Sequence, residues 1–145
     1  MIKRWMSIGL GVMAIGLSGC QSNEMQAMDK GASREQSVIS GKVMYRERIA
    51  LPDTAVLNVK LEDVSLADAP AKVLSEVELP TLGKQVPLAF TLPYDSEQII
   101  DNHRYGLRIK IVDGERLLFI NDYHIGVIND PESTDYVEAI LKSAK

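Results

Sequence analysis

Apolar and polar residues alternate along most of the chain after Val38, and this period of two is typical of half-buried β-strands. The alternation predicts a series of strands, whose inward faces carry Val43, Tyr45, Glu47 and Ile49, then Leu57, Val59 and Leu61, then Val73, Val77 and Leu79, then Val86, Leu88, Phe90 and Leu92, and finally Leu107, Ile109 and Ile111. Pro87 and Pro93 assign one of these strands to a sheet edge, where a missing backbone N–H is tolerated. Glu47 requires a hydrogen-bonding partner on an inward face, or else a bulge in its strand.

Two further strands are predicted near the C-terminus. The dipeptide Asp113-Gly114 predicts a β-hairpin that pairs Arg104–Val112 with Glu115–His124. The last segment, Thr134–Lys145, fits two patterns, since it alternates as a strand and also carries a helical stripe of apolar residues. We favour a strand, because the sheet would otherwise lack a partner for its final edge.

The spacing of these elements indicates an all-β fold. Short strands about 10–15 residues apart leave no room for the helices that parallel crossovers need. We therefore predict a small antiparallel β-sandwich or barrel of about seven strands over residues 38–145. The whole chain has 145 residues, which is enough for one domain of ordinary size.

The N-terminal segment has a different composition and predicts a lipoprotein signal peptide over residues 1–19. Lys3 and Arg4 are followed by Met6–Leu17, which has no charged residue. This run is shorter than the roughly 20 apolar residues that a membrane-spanning helix needs. It ends in a tetrapeptide that resembles the bacterial lipobox, namely Leu17, Ser18, Gly19 and Cys20.

The lipobox resemblance implies that Cys20 becomes the first residue of the mature chain and carries a diacylglycerol on its thiol and an acyl chain, such as palmitate, on its amine. Several acyl chains anchor a protein stably, at about 0.8 kcal/mol for each buried methylene group. Gln21 stands where an Asp would signal retention in the inner membrane, so we predict delivery to the bacterial outer membrane, facing the periplasm. Residues 20–37 are polar and without period, which predicts a lipidated flexible tether.

Charge and cysteine content narrow the classes of partner. The net charge of −4 argues against nucleic-acid binding, which relies on clustered Lys and Arg. Loss of residues 1–19 removes Lys3 and Arg4 and takes the charge of the predicted mature chain from −4 to −6. Cys20 is the single cysteine, so no disulfide can form within the mature chain.

The sequence contains no catalytic or metal-binding motif, and we predict neither catalytic residues, nor a metal site, nor a cofactor beyond the lipid on Cys20. His103 and His124 are assigned to strand ends at the surface. The acidic loop 95–101 lacks the ligand spacing and central glycine of an EF-hand, and we interpret it as solvated.

Several segments together resemble the YbaY family of envelope lipoproteins, the domain family that also contains the YscW-type secretion pilotins. The segments that carry the resemblance are Gly41–Pro52, Leu61–Pro70, Val86–Phe90, Leu92–Asp95, His103–Tyr105 and Arg116–Phe119. The resemblance implies a β-sandwich and a non-catalytic lipoprotein that binds another envelope protein, such as a secretin, and assists its assembly or stability. It also implies a mode of binding, because the family's pilotins bind the C-terminal segment of a secretin subunit and help bring it to the outer membrane.

A second function is open at this point, namely a module that binds envelope polysaccharide or inhibits a wall enzyme. Exposed aromatic side chains would stack on sugars, and Tyr94, Tyr105 and Tyr123 are the candidates. The alternating charges Arg46-Glu47-Arg48, and Arg108 with Lys110, have two interpretations as well, a solvated strand face with cross-strand ion pairs or a stripe that binds a partner.

Overall fold

The computed structural model describes residue 11, residues 35–132 and residues 136–145, and the rest of the predicted signal peptide and most of the predicted tether lie outside these ranges. Within them the fold comprises β1 (Gln36–Tyr45), β2 (Val56–Asp63), β3 (Lys72–Pro80), β4 (Leu88–Asp95), β5 (Tyr105–Asp113), β6 (Arg116–Ile120), β7 (Ile125–Val127), β8 (Tyr136–Ser143) and a short 3-10 helix at Ser96–Gln98. The described part of the chain has no helix that is long and apolar enough to span a bilayer.

The strands form one strongly curved sheet in the order β3-β2-β5-β6-β8-β1-β4, and β7 pairs with the start of β5, on the edge that β6 leaves open. The two end strands, β3 and β4, approach each other. The Ser75 hydroxyl of β3 donates to the Pro93 carbonyl of β4 at 2.5 Å. The result is a barrel-like arrangement, and the predicted all-β fold is confirmed. All strand pairs of the described residues are antiparallel except β1 with β8, which is parallel. The chain between these two strands forms β2 to β7 rather than a single crossover helix.

The apolar core lies inside this curved sheet. It contains the following predicted inward residues: Val43, Tyr45, Leu57, Val59, Leu61, Leu88, Phe90, Leu92, Leu107, Ile109 and Ile111. The last strand adds Val137, Ala139 and Leu141, so the strand alternative for the C-terminal segment is confirmed. Each fully buried side chain of the larger kinds contributes about 1.5–3 kcal/mol relative to exposure.

The first strand is shorter than the alternation predicts. β1 ends at Tyr45, and Glu47 and Ile49 belong to the loop that follows, so the prediction that they extend the strand is wrong. The physical reason is a bend after Tyr45, across which the Tyr45 hydroxyl donates to the Ile49 carbonyl at 2.5 Å. Ile49 is left 52% exposed.

A β-bulge changes which side chains of β3 point toward the core. Leu61 of β2 pairs with Ser75, and the next residue of β2 pairs with Val73, so that Leu74 is an extra residue on β3. The extra residue turns Leu74 toward the core, and Val73, which was predicted to face inward, is 45% exposed. Beyond the bulge, Val77 and Leu79 pack against the core as predicted.

The predicted hairpin at Asp113-Gly114 is confirmed, since Asp113 pairs with Arg116 and Gly114 has a φ of 60°. Its second strand is shorter than predicted, because β6 ends at Ile120 and β7 begins only at Ile125. Pro93 lies within β4, which ends the strand order, so the edge assignment is confirmed for this proline. Val86 and Pro87 precede β4, so their assignment to this strand is wrong.

Asn121 fills the gap between β6 and β7. It is 6% exposed, and its side-chain oxygen accepts from the Ile109 N–H at 2.8 Å. Its side-chain nitrogen donates to the carbonyls of Leu107 and Tyr123 at 3.1 and 2.9 Å. The side chain of one residue thus supplies the hydrogen bonds that a strand would otherwise provide to β5.

Candidate partner-binding groove

The barrel has two distinct ends. One end, here called the distal end, carries the loops 46–55, 81–87 and 114–115 together with residues 144–145. The chain enters at the other end, where β1 begins at Gln36 and the Glu35 carbonyl accepts from the Ser96 N–H and hydroxyl at 3.3 and 2.6 Å. The predicted tether therefore joins the domain at the end opposite to the distal loops.

A groove lies at the distal end, lined by Ile49–Pro52, Arg116–Phe119 and Ser143–Lys145, and it is called the distal groove below. Its volume is about 420 Å³, within the range of about 300–1,000 Å³ that is common for ligand sites. Most of the lining is apolar, and Ile49 and Leu117 are 52% and 38% exposed. The groove thus presents apolar side chains to solvent in a concave surface.

Hydrogen bonds fix the first wall of the distal groove. The Tyr45 hydroxyl holds the Ile49 carbonyl, and the Gln85 side chain accepts from the Leu51 N–H at 2.7 Å and donates to the Leu51 carbonyl at 3.1 Å. The Tyr45 ring stacks on Phe119, with centroids 4.0 Å apart. Burial, and next the nearby Glu47 carboxylate, raise the pKa of Tyr45.

The second wall is tied to the end of β1. The Glu47 carboxylate accepts from the Ser143 N–H at 3.2 Å, and the Ala144 N–H donates to the Leu118 carbonyl at 3.0 Å. This contact supplies the partner that Glu47 was expected to require. Its second oxygen, Oε2, is buried and has no hydrogen-bond partner in the described part of the chain. Both walls are thereby held in place without help from a bound partner.

The charged side chains that line the distal groove are basic. Arg116 and Lys145 belong to its lining, and no acidic side chain does among the described residues. Arg46 and Arg48, both exposed, precede the first wall in the chain. Arg116 lies 4.0 Å from Asp113 and is 73% exposed, so this pair compensates its charge weakly. The exposed basic side chains around the groove are called the basic rim below. Their local charge is positive, whereas the net charge of the whole chain is negative.

The polar cluster at the opposite end joins two loops. Asp63 contacts His103 Nδ1 at 2.7 Å and accepts from the N–H and hydroxyl of Ser65 at 3.0 and 2.6 Å. Burial alone would raise the pKa of Asp63, but the hydrogen bonds from Ser65 and His103 outweigh it and lower the pKa to about 2. The Ser65 hydroxyl also accepts from the Arg104 N–H at 2.8 Å, so the cluster connects the loop after β2 to the start of β5.

His124 and the acidic loop 95–101 were the other polar features considered from the sequence. His124 is exposed, and Asp95 caps the 3-10 helix by accepting from the Glu97 N–H at 3.0 Å. No group of three His, Cys, Asp or Glu residues in the described ranges is arranged to hold a metal ion.

The candidate tyrosines do not form a shared exposed surface. Tyr105 is 2% exposed, so its assignment as a candidate for stacking on sugars is wrong; its hydroxyl accepts from the Ile100 N–H at 2.9 Å. Tyr94 is partly buried against the core. Tyr123 is 45% exposed, and its hydroxyl accepts from the Ile140 N–H at 3.2 Å.

The predicted site residues of the N-terminus lie outside the described residues. These are the lipobox residues Leu17, Ser18 and Gly19, the lipidation site Cys20 and the sorting residue Gln21. The distal groove was not predicted. A usable signal was the pair Ile49 and Leu51 directly after Arg46 and Arg48, which places apolar side chains beside exposed basic ones.

Comparison with known proteins identifies the family. A profile of the YscW family, described as a type III secretion system lipoprotein chaperone, matches residues 34–138. The chain belongs to the YscW family. The lipoprotein YbaY of Escherichia coli K12, described as uncharacterized, is 38% identical over 136 residues, which cover 86% of this chain and 71% of that protein. The resemblance that the sequence segments carry is therefore confirmed.

A solved structure shows the same fold in a similar protein. It is an alternative pilotin from the type II secretion system of Vibrio cholerae, with a TM-score of 0.74 and 50% sequence identity. The match covers 77% of this chain and 99% of that one. Membership in a family of lipoprotein chaperones and pilotins favours a role in the bacterial envelope without catalysis.

Proposed function

We propose that this chain is a pilotin, a lipoprotein anchored in the outer membrane by lipids on Cys20 that binds the C-terminal segment of a secretin subunit in the periplasm. Binding escorts the subunit to the outer membrane and assists ring assembly there. The observation that carries this proposal is the Vibrio cholerae pilotin, which shares half of its residues with this chain over nearly its full length.

The architecture is suited to this task. A lipid anchor confines the domain to the membrane surface, and a tether of about 17 residues would allow it a reach on the order of 20–25 Å. Confinement of this kind raises the effective concentration of a binding surface for a membrane-bound partner. A pilotin therefore needs only moderate intrinsic affinity for its secretin.

A non-catalytic role agrees with how the polar groups are used. Asp63, His103, Asn121 and Gln85 each hold a loop or strand end in place through hydrogen bonds to backbone or neighbouring side chains. Their geometry supports a rigid binding scaffold rather than a site for chemistry.

Deletion of the gene tests the proposal. Without the pilotin, we expect the secretin of the same bacterium to accumulate as monomers or in the inner membrane, and plasmid-borne wild type to restore outer-membrane multimers. Cys20→Ser should fold normally, lose palmitate labelling and fail to restore the multimers. Normal secretin multimers in the deletion strain would refute the pilotin function, and palmitate labelling of the serine variant would refute lipidation at Cys20.

A further inference from the structure

The geometry points to the distal groove as the docking site for an acidic amphipathic segment of the partner, with the apolar side chains of that segment in the groove and its carboxylates on the basic rim. This inference rests on the proposed function, since it assigns the surface and the chemistry by which a pilotin would hold its secretin. It assigns no role to the opposite end of the barrel.

The distal groove is preformed. Exposed apolar side chains would normally collapse against one another to escape water, yet Ile49 and Leu117 stay 52% and 38% exposed. Collapse is prevented because Tyr45 and Gln85 fix one wall through its backbone, while Glu47 fixes the other. A surface held open in this way loses little conformational entropy when a partner binds, which is the usual basis of preorganised recognition.

Charge selects among apolar partners. The distal groove carries Arg116 and Lys145 in its lining, and the exposed Arg48 adjoins Ile49. A segment with Asp or Glu beside its apolar residues would find opposite charges at the rim, whereas a basic segment would be repelled. The negative charge of the chain as a whole makes this local positive rim the favoured landing place for an acidic peptide.

The position of the groove favours a protein segment over a lipid surface. β1 has ten residues, which span about 30 Å, and it separates the entry of the predicted tether at Gln36 from the groove wall that begins at Ile49. The predicted tether would therefore attach at the end of the domain away from the groove. The groove is free to meet a periplasmic segment of a partner.

Binding by charge variants tests the chemistry. The full mature lipoprotein in detergent micelles is titrated into a fluorescent synthetic peptide with the sequence of the C-terminal segment of the secretin that the same bacterium makes. We expect Arg48→Glu with Arg116→Glu to weaken binding about tenfold. A matched control, Lys72→Glu with Arg104→Glu, reverses two exposed basic residues on strand β3 and at the opposite end, and should leave affinity within about twofold.

A charge-reversed peptide separates specific pairing from damage to the fold. If the acidic residues of the peptide are replaced by Lys, it should bind the double Glu variant better than it binds the wild type. Equal affinity of both peptides for both proteins, or a loss of binding as large in the control variant, would overturn the assignment of the basic rim.

Photo-crosslinking in cells locates the binding surface. Its outcomes distinguish a failure of the groove assignment from a failure of the proposed pilotin function. A benzophenone amino acid is placed at Leu117 in the distal groove and, as a control, at Leu66, which is 72% exposed in the loop after β2. Secretin crosslinks from Leu117 alone support both proposals. Secretin crosslinks from Leu66 alone keep the pilotin function and overturn the groove.

Crosslinks from Leu117 to molecules other than the secretin also decide between the two proposals. A crosslink from Leu117 to an acidic segment of a different envelope protein, abolished by the double Glu variant, would uphold the groove and overturn the secretin as partner. Crosslinks from Leu117 to lipid, to a second copy of this chain, or to nothing would overturn the groove.

Discussion

Single side chains complete the hydrogen bonding of this barrel where strand pairing stops. Asn121 takes the place of a strand beside β5, Gln85 pairs with the backbone of Leu51, and Glu47 accepts from Ser143 beyond the end of β1. A buried backbone group without a hydrogen-bond partner costs about 1–3 kcal/mol. Each of these side chains therefore contributes about as much to the free energy of unfolding as a buried apolar side chain. The same contacts shape the distal groove and the gap between β6 and β7.

Asn121→Ala tests this use of a side chain. The substitution leaves the Ile109 N–H and the Leu107 carbonyl buried without their partner, so we expect the free energy of unfolding to fall by about 2–3 kcal/mol in urea denaturation. The matched control is Asn129→Ala, whose side chain bonds two carbonyls but is exposed, and there the loss should stay below about 1 kcal/mol. Equal losses in the two variants would contradict the role assigned to Asn121.

The carboxylate of Asp63 makes part of the stability depend on acid. Its pKa is lowered from 3.8 to about 2 in the folded chain, so the folded state favours the ionised form. This contribution is complete above a pH of about 4 and disappears as the pH falls from about 4 to about 2. We expect Asp63→Asn to be less stable than wild type at pH 6 and the difference to shrink across that window.

The control for this titration is Asp68→Asn, an exposed residue in the loop that follows β2. Its unfolding free energy should track that of wild type at every pH. A deficit of Asp63→Asn that stays constant from pH 6 to pH 2 would show that the carboxylate is not ionised preferentially in the folded state. The measurement is urea denaturation followed by circular dichroism at each pH.

At the scale of elements, β1 organises the sheet. It pairs with β4 on one side and, in parallel, with β8 on the other, so it joins the first and last strands of the chain. Gly41 lies at the centre of this contact, where the absence of a side chain lets the Val137 carbonyl and the Phe90 ring approach. The parallel pair and the packing of Phe90 thus depend on one small residue.

Gly41→Ala should separate β1 from β8. A methyl group at this position would overlap the Val137 carbonyl, which belongs to a buried backbone that cannot move away, and would come within 2.8 Å of Phe90 Cε1. We expect a loss of about 3 kcal/mol in the free energy of unfolding. Ser40→Ala, one residue earlier and facing outward, should change it by less than about 0.5 kcal/mol. A neutral Gly41→Ala variant would mean that β8 does not pack against β1 as described.

Alternation of apolar residues was sufficient to predict most strands, because each strand has one buried face and the period of two follows from strand geometry. It failed where side-chain geometry alters the backbone. The bulge at Leu74 shifts the facing of Val73, and the side chain of Asn121 ends a strand that the alternation continues. The parallel pairing of β1 with β8 was also beyond prediction, since strand order depends on contacts between distant residues.

The distal groove illustrates the same limit. Ile49 continues the alternation of β1 and was therefore expected in the core, but the hydrogen bond from Tyr45 turns the chain at this point. The Gln85 contact that fixes the groove wall joins residues 34 positions apart. Neither contact has a local sequence pattern, so the composition of the site, apolar with a basic rim, becomes visible only when the loops are brought together.

At the scale of the whole molecule, the two ends of the barrel have different features. The predicted tether enters at the end with Glu35 and Ser96, and the distal groove opens at the other end. With the proposed anchor in the outer membrane, the flexible tether would keep the groove in the periplasm, within reach of a secretin subunit. Under the proposed function, the anchoring membrane would set where a bound subunit is delivered, and the domain would set what is bound.

Gln21→Asp separates these two roles. An Asp after the lipidated cysteine is the signal for retention in the inner membrane, so the variant should still incorporate palmitate but should sediment with inner-membrane vesicles. Its domain is unchanged, and we expect it to bind the secretin peptide with wild-type affinity while outer-membrane secretin multimers are lost. Gln21→Asn, which lacks the added charge, should behave as wild type in all three measurements. If the Asp variant supports normal multimers from the inner membrane, then delivery to the outer membrane is not how this lipoprotein assists its partner.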